Sequence, residues 1–148
     1  GQHGLVCAKI DQGAQRWNAG TYSQARGDGL YSGEGNTNVI IATHVAIGDD
    51  FSDYAALICF ILQITEGGTT YSDWYLPSKY ELNLMYDNKA TIDATALANE
   101  GEAFSPTYYW SSLEVSFETA WCQNFNRGTL LNGFLKEELL RVRAIRAF

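Results

Sequence analysis

The sequence of 148 residues is poor in the residue types that mark several large classes of protein. Two prolines beside 14 glycines exclude a collagen-like repeat and a proline-rich linker. Charged residues make up only 18%, and no motif recurs at a fixed period. No signal peptide is recognisable and no apolar run is long enough for a membrane span, so we expect no membrane insertion.

Cysteine and histidine are also scarce. The three cysteines, Cys7, Cys59 and Cys122, include no CxxC pair, and the two histidines, His3 and His44, lie far apart in the sequence. These spacings exclude a zinc ribbon and an HExxH metal site, so we expect no metal and no other cofactor. The sequence leaves open whether any two of the cysteines pair.

Apolar and aromatic residues are abundant by contrast. They make up 46% and 14% of the chain, which is enough to build a hydrophobic core without a metal or a disulfide. The length is that of one ordinary domain, and no linker divides the sequence. Residues 1–148 are therefore predicted to form a single domain.

A first helix is predicted over residues 49–65, where apolar residues follow helical spacing. Asp50 or Ser52 can cap its start, and Gly67-Gly68 is predicted to end it. Acidic residues at the start of a helix are favoured by the helix dipole and need no calcium ion to explain them. This applies to Asp49, Asp50 and Asp53.

A second helix is predicted over residues 77–88. Pro77 fits the first helical turn, and Ser78 and Glu81 have the spacing of a capping box. A short helical turn is compatible with residues 94–100. Strand patterns occupy residues 5–8, 39–42, 108–112, 119–125 and 139–148. Two helices followed by a β-rich half predict an α+β domain, with the helices packed on an antiparallel sheet.

Four stretches carry motifs in a specific order and spacing: residues 72–82 (SDWYLPSKYEL), 109–112 (YWSS), 120–125 (AWCQNF) and 142–146 (VRAIR). Together they resemble the Lcl C-terminal domain family, whose eponym is a collagen-like adhesin of Legionella. The resemblance covers most of the chain. Tyr75 departs from the family pattern, which usually has arginine at that position.

The resemblance implies a C-type-lectin-like fold, in which two helices pack on a curled antiparallel sheet and the terminal strands pair. It also implies a secreted cell-surface adhesin head that forms a homotrimer and binds sulfated, anionic polysaccharides such as glycosaminoglycans. The Glu-Pro-Asn and Trp-Asn-Asp triads with which C-type lectins bind calcium and sugar do not occur in the sequence.

The charge distribution is compatible with this ligand class. The net charge of −7 argues against nucleic-acid binding, but the last thirty residues carry a net charge of +3. Arginine donates two parallel hydrogen bonds, which match the oxygens of a sulfate. We therefore predict that the ligand contacts Arg127, Lys136, Arg141, Arg143 and Arg146.

Arg143 and Arg146 also admit a structural role, because they lie within the family motif and can pair with buried carboxylates as part of the scaffold. Strand alternation places Arg141 and Arg143 on one face. The 72–82 motif is likewise predicted to be scaffold, with Trp74 and Leu76 packed into the core. Core or subunit contact is also predicted for the two strand tryptophans, Trp110 and Trp121.

Two other functions stay open at this stage. The aromatic surface fits a protein-binding or self-association module for cell–cell adhesion and biofilm formation. A cysteine-dependent enzyme on the same scaffold would need two cysteines poised together. The sequence contains no nucleophile elbow, P-loop or dinucleotide-binding motif, so the chain is predicted not to be an enzyme.

Overall fold

The computed structural model describes residues 1–18, 20–49 and 52–148, which form four helices and nine strands. The helices are Ser32–Ile47 (α1), Ala55–Phe60 (α2), Lys79–Asp87 (α3) and Lys89–Ala98 (α4). The strands are Leu5–Cys7 (β1), Ala14–Gln15 (β2), Ile64–Glu66 (β3), Thr69–Tyr71 (β4), Tyr108–Glu114 (β5), Thr119–Asn124 (β6), Leu130–Leu135 (β7), Leu140–Arg141 (β8) and Ile145–Ala147 (β9). The α+β class is confirmed, with four helices instead of the two predicted.

The strands form one large sheet and two small ones. The large sheet has the order β2-β8-β5-β6-β7, while β1 pairs with β9 and β3 pairs with β4. Within the large sheet, β5 and β8 run parallel, so this sheet is mixed where the sequence predicted an antiparallel one. The β1–β9 ribbon joins the first and last strands of the chain.

Helix α3 begins where the sequence placed its cap. The Ser78 hydroxyl accepts a hydrogen bond from the Glu81 N–H at 3.1 Å, and the Glu81 carboxylate accepts one from the Ser78 N–H at 2.8 Å. This reciprocal arrangement satisfies two N–H groups at the helix start and confirms the predicted capping box. Pro77 precedes the cap and does not open the helix.

Helix α1 replaces a predicted strand, since residues 39–42 lie within it. The first half of α1 is rich in residues with low helix propensity, which obscured the helix in the sequence. Those residues make tertiary contacts. The Asn36 side chain, for example, bonds the backbone of Gly27 and the hydroxyl of Ser112. Contacts with the rest of the fold therefore override the local preference.

The first predicted helix is much shorter than expected. Among the described residues of 49–65, which leave out 50 and 51, only Ala55–Phe60 are α-helical, and Ile64–Glu66 is already a strand. Gly67 and Gly68 do not end a helix but form the turn of the β3–β4 hairpin, where both have positive φ angles of 54° and 81°. The proposed cap Asp50 lies outside the described residues.

The core consists of two hydrophobic clusters. The larger one includes Trp74, Leu76 and Trp110, whose predicted burial is confirmed. The smaller one joins residues of α3 to the sheet. Trp121 is only half-buried, and the Lys79 ammonium lies 4.6 Å from its ring centroid. None of the helices in the described ranges is both long and apolar enough to cross a bilayer.

Candidate functional site

Lys136, a predicted ligand contact, is buried, with only 1% of its surface exposed. Its ammonium group lies 3.0 Å from the Glu114 carboxylate and donates to the Thr21 carbonyl at 2.8 Å. The ammonium also lies 4.9 Å from the ring centroid of Trp17. Every one of these partners is internal, so the prediction that Lys136 contacts an external ligand is wrong for this structure.

Glu114 is the centre of this buried cluster. In addition to the Lys136 ammonium, its carboxylate accepts hydrogen bonds from the N–H and hydroxyl of Ser23, at 2.6 Å and 2.8 Å. Burial alone raises the pKa of Glu114, but the bonds from Ser23 and Lys136 outweigh burial and hold the pKa below its ordinary value. The cluster joins β5 and the segment after β7 to the loop before α1.

Arg143 is buried as well, and it forms the structural pair that the sequence left open. Its Nε donates to Asp11 at 2.6 Å, and its terminal nitrogens donate to the carbonyls of Glu102 and Ala103. Arg141 donates to the other oxygen of Asp11 at 3.2 Å. The two arginines therefore share one carboxylate, but not through strand alternation, because the predicted strand 139–148 is interrupted and Arg143 lies between β8 and β9. Arg143 is not available to a ligand.

Arg146 pairs with Asp73 at the surface. Its Nε and Nη2 donate to the two carboxylate oxygens at 2.6 Å and 2.8 Å. These bonds lower the pKa of Asp73 despite the opposing effect of burial. The guanidinium also lies 4.5 Å from the ring centroid of Tyr71, so two neighbours fix its position.

Arg127 is exposed in the turn between β6 and β7, and within the described part of the chain its side chain makes no ion pair. The five predicted residues therefore do not form one basic patch. Arg141 and Arg143 meet at Asp11, whereas Lys136, Arg146 and Arg127 lie in separate surroundings. The partners Asp11, Asp73 and Glu114 were missed because they are 22 to 132 residues away in sequence, which leaves no local signal.

The 72–82 motif forms scaffold, as predicted. The buried Glu81 carboxylate accepts hydrogen bonds from the N–H groups of Tyr31 and Gly33 as well as from its own helix cap. A Cβ atom on Gly33 would lie 2.5 Å from that carboxylate, so only glycine fits there. The hydroxyl of Tyr75 donates to Glu81 at 3.2 Å.

Asp49, one of the acidic residues before α2, makes contacts within the protein. Asp49 pairs with Arg16 at 2.8 Å and lies 3.3 Å from the ring of His44. His44 stacks on Tyr54, and burial lowers its pKa. Asp50 lies outside the described residues. Among the residues that the structure describes, no three His, Cys, Asp or Glu side chains converge as metal ligands.

The three cysteines are free thiols. Burial raises the pKa of Cys7 and of Cys122 to about 12, and it raises the pKa of Cys59 as well. The thiolate is the reactive form of cysteine, so these thiols are poor nucleophiles at neutral pH.

An open, mostly apolar groove runs along β1 and has a volume of about 520 Å³. One wall is the β3–β4 hairpin together with Trp74, and the other wall is α4. Five consecutive residues, 5–9, form the floor. We call this site the β1 groove. Its walls include Ile64, Glu66, Tyr71, Trp74, Thr91, Ile92, Thr95, Ala96, Asn99 and Arg146.

Neither a protein-family model nor a curated protein matches the chain. A solved structure with a similar fold is that of a fimbrial protein from Bacteroides ovatus, with a TM-score of 0.65 and 17% sequence identity. The match covers 96% of this chain and 35% of that protein. The chain thus spans about a third of the length of the fimbrial protein, and at this identity the likeness shows a shared fold alone.

No sequence pattern indicated the β1 groove, because its lining comes from separated parts of the chain. Only the short apolar strand at its floor was predicted. Tyr71 and Trp74 lie within or beside the 72–82 motif, but their position in a groove wall depends on the β3–β4 hairpin, which the sequence placed at the end of a helix.

Proposed function

We propose that this chain is a non-enzymatic adhesion module displayed at the cell surface, which binds other proteins through the β1 groove. The observation that carries this proposal is the groove itself, an open apolar surface with Tyr71 and Trp74 in its wall. Apolar grooves with aromatic residues suit the binding of a protein chain more than the binding of a highly charged polymer.

Surface display is supported by the fold. A fimbrial protein contains the same fold over about a third of its length. We also propose that the arrangement belongs to the C-type-lectin-like class, as the resemblance to the Lcl C-terminal domain family implies. The pairing of the first and last strands, β1 and β9, fits this class.

The thiols argue against one kind of catalysis, that by cysteine. Cys7, Cys59 and Cys122 all have raised pKa values, which disfavours the alternative of a cysteine-dependent enzyme. A thiol titration of the folded protein tests this point. We expect slow reaction of all three cysteines at neutral pH, and fast reaction of any one of them would revive the enzyme hypothesis.

Binding of sulfated polysaccharide is the second candidate, and the exposure of Arg127 favours it. Arg141, of which 41% of the side chain is exposed, is the other predicted residue that a ligand could reach. Two separate arginines would bind a polyanion weakly, so we propose that this function requires the homotrimer, in which three copies add avidity. A sedimentation mass of three chains is the expected result.

Adhesion of coated microspheres separates the two candidates. Beads that carry the domain are applied to cultured epithelial cells, and bead–bead clustering is scored in parallel. A protein partner predicts loss of adhesion after trypsin treatment of the cells and little change between 0.05 M and 0.5 M NaCl. A polysaccharide partner predicts loss after heparinase treatment and a steep decrease with salt.

Matched variants show which surface of the domain mediates adhesion. Thr95→Trp fills the β1 groove from α4, and Ala94→Trp places the same side chain on an exposed position outside the groove. We expect only Thr95→Trp to abolish adhesion, whereas Arg127→Ser with Arg141→Ser leaves it intact. The opposite pattern would favour the polysaccharide. Wild-type beads that adhere neither to cells nor to one another would contradict both candidates.

A further inference from the structure

We propose that the protein partner binds as an extended segment that pairs with the free edge of β1 and adds a strand to the β1–β9 ribbon. This inference rests on the proposed function, because it specifies the form in which a protein partner enters the β1 groove. The observations behind it are the hydrogen-bond register of β1, the walls of the groove and its size.

The register of the ribbon shows which backbone groups are free. Gly4 and Phe148 exchange two hydrogen bonds, and the Ala8 N–H donates to the Ala144 carbonyl at 2.9 Å. Hydrogen-bonded pairs alternate along an antiparallel ladder, so the pair between them, Val6 and Arg146, is also hydrogen-bonded. The N–H and C=O groups of the intervening residues, at positions 5 and 7, point away from β9.

These outward groups have no protein partner. Within the described ranges, no hydrogen bond is made by the backbone N–H or C=O of Leu5 or of Cys7. They lie at the floor of the β1 groove, which is lined by consecutive residues of β1 and not by alternate ones. A strand edge of this kind is a template for another extended chain.

The groove has the size of a single strand. Extended residues occupy about 3.3 Å along the strand, about 4.8 Å between strands and about 10 Å through the sheet. A volume of about 520 Å³ therefore accommodates about three residues, the same number as in β1. A second cavity of about 390 Å³ shares Leu5, Cys7 and Ile92 with the groove and continues past Gly4.

The walls determine which kind of segment fits. Residues of the hairpin and of α4 line the groove together with β1, so a single extended segment would contact all three. One wall offers Tyr71 and Trp74, while the other offers Thr95 and Ala96. Successive side chains of a strand point to opposite sides. We therefore infer a partner in which large apolar residues alternate with small or hydroxyl-bearing ones.

Selection of peptides tests this proposal with a defined probe, a phage-displayed library of random heptapeptides. Selected peptides are synthesised, and their affinity is measured for two variants of the full chain. Cys7→Pro removes the outward N–H and leaves every β1–β9 hydrogen bond in place, whereas Cys7→Val keeps the N–H. Both variants remove the thiol. We expect Cys7→Pro to weaken binding at least tenfold and Cys7→Val to change it by less than threefold.

Amide hydrogen exchange of the wild-type protein gives an independent answer if Cys7→Pro does not fold. In the free protein the amides of Leu5 and Cys7 should exchange faster than those of Val6 and Ala8. A saturating selected peptide should slow exchange at Leu5 and Cys7 specifically. Methylation of the peptide backbone nitrogens that face β1 should abolish binding, because it removes donors without changing side chains.

Several outcomes would overturn the proposal. These are a library that yields no peptide for the β1 groove, binding that survives Cys7→Pro or backbone methylation, and unchanged exchange at Leu5 and Cys7. The bead assay separates this failure from failure of the proposed function. If trypsin treatment of the cells and the Thr95→Trp variant each still abolish bead adhesion, the groove binds protein in another form and the proposed function stands. If adhesion fails as well, the proposed function fails with it.

Discussion

The Lys136–Glu114 and Arg146–Asp73 pairs join the same charges in opposite surroundings. The side chains of the first pair are 1% and 0% exposed, and those of the second are 16% and 53% exposed. In the interior, water cannot replace a lost partner, whereas at the surface it can. The positive charge of the last thirty residues therefore largely stabilises the folded structure, and only its exposed members are available for recognition.

The largest expected effect is at the interior pair. Lys136→Met removes the nearest counter-ion of the buried Glu114 carboxylate and leaves only the half-exposed Arg26 guanidinium, 3.7 Å from its other oxygen. Removal of one partner of a buried pair costs about 3–5 kcal/mol. The free energy of unfolding from urea denaturation should decrease by that amount. In the double variant Glu114→Gln with Lys136→Met, both charges are gone, so part of the stability should return. A Lys136→Met variant as stable as the wild type would contradict the buried pair.

A smaller loss is expected for Asp11→Asn. The substitution removes the charge that Arg143 and Arg141 share but keeps the size of the side chain. Arg143 retains its two carbonyl acceptors, so the expected loss is about 1.5–3 kcal/mol, the range for hydrogen bonds to charged groups. Arg141→Ser is the matched control, because it leaves Asp11 paired with Arg143. If both variants lost the same free energy of unfolding, the buried Asp11–Arg143 pair would contribute no more to stability than the exposed Arg141.

The stability of the protein at acidic pH should depend on the buried carboxylate of Glu114. The folded-state pKa of Glu114 is below its ordinary value of 4.5. Its contribution to stability is therefore complete above the unfolded-state pKa and is lost as the pH falls through the folded-state pKa. Below about pH 4.5, the unfolding free energy of the wild type should decrease more steeply with falling pH than that of Glu114→Gln. Parallel curves would mean that the carboxylate is not stabilised in the fold.

The smallest effect is expected at the surface pair. Arg146→Gln removes the bidentate contact with Asp73 but exposes only groups that water can solvate, so the change should be below about 1 kcal/mol. Thermal melting at low and high salt measures it, and the wild-type advantage should shrink as salt increases. If Arg146→Gln lost as much stability as Lys136→Met, the buried and the surface ion pair would not differ in their contribution to stability.

The elements that could be predicted are those that short-range sequence patterns determine. The α3 cap depends on residues three apart, and the strands 108–112 and 119–125 show β-rich patterns over consecutive residues. Both predictions are confirmed, with β5 and β6 ending within two residues of the predicted strands. The residues that pair in these elements are close in sequence, so a short window contains the information.

Other features depend on contacts between distant residues. Helix α1 contains Gly33 because the carboxylate of Glu81, 48 residues away in sequence, lies against it. The residues around Gly33 in the sequence do not show that a glycine is required there. The same holds for the ligand-binding prediction, since the partners that bury Lys136 and Arg143 are 22 and 132 residues away. The β1 groove was not predictable either, because an unpaired strand edge is defined by the topology of the ribbon.

The β1–β9 ribbon also determines how the domain would respond to a mechanical load. Gly4 bonds Phe148, so a force that pulls residues 1 and 148 apart acts first on that single pair of hydrogen bonds. The next hydrogen-bonded pair carries the load only after the first has broken. The pairs of the ribbon therefore break one after another, at low force. A partner strand held along β1, as we propose, would be released with the ribbon, so its binding would weaken under tension between residues 1 and 148.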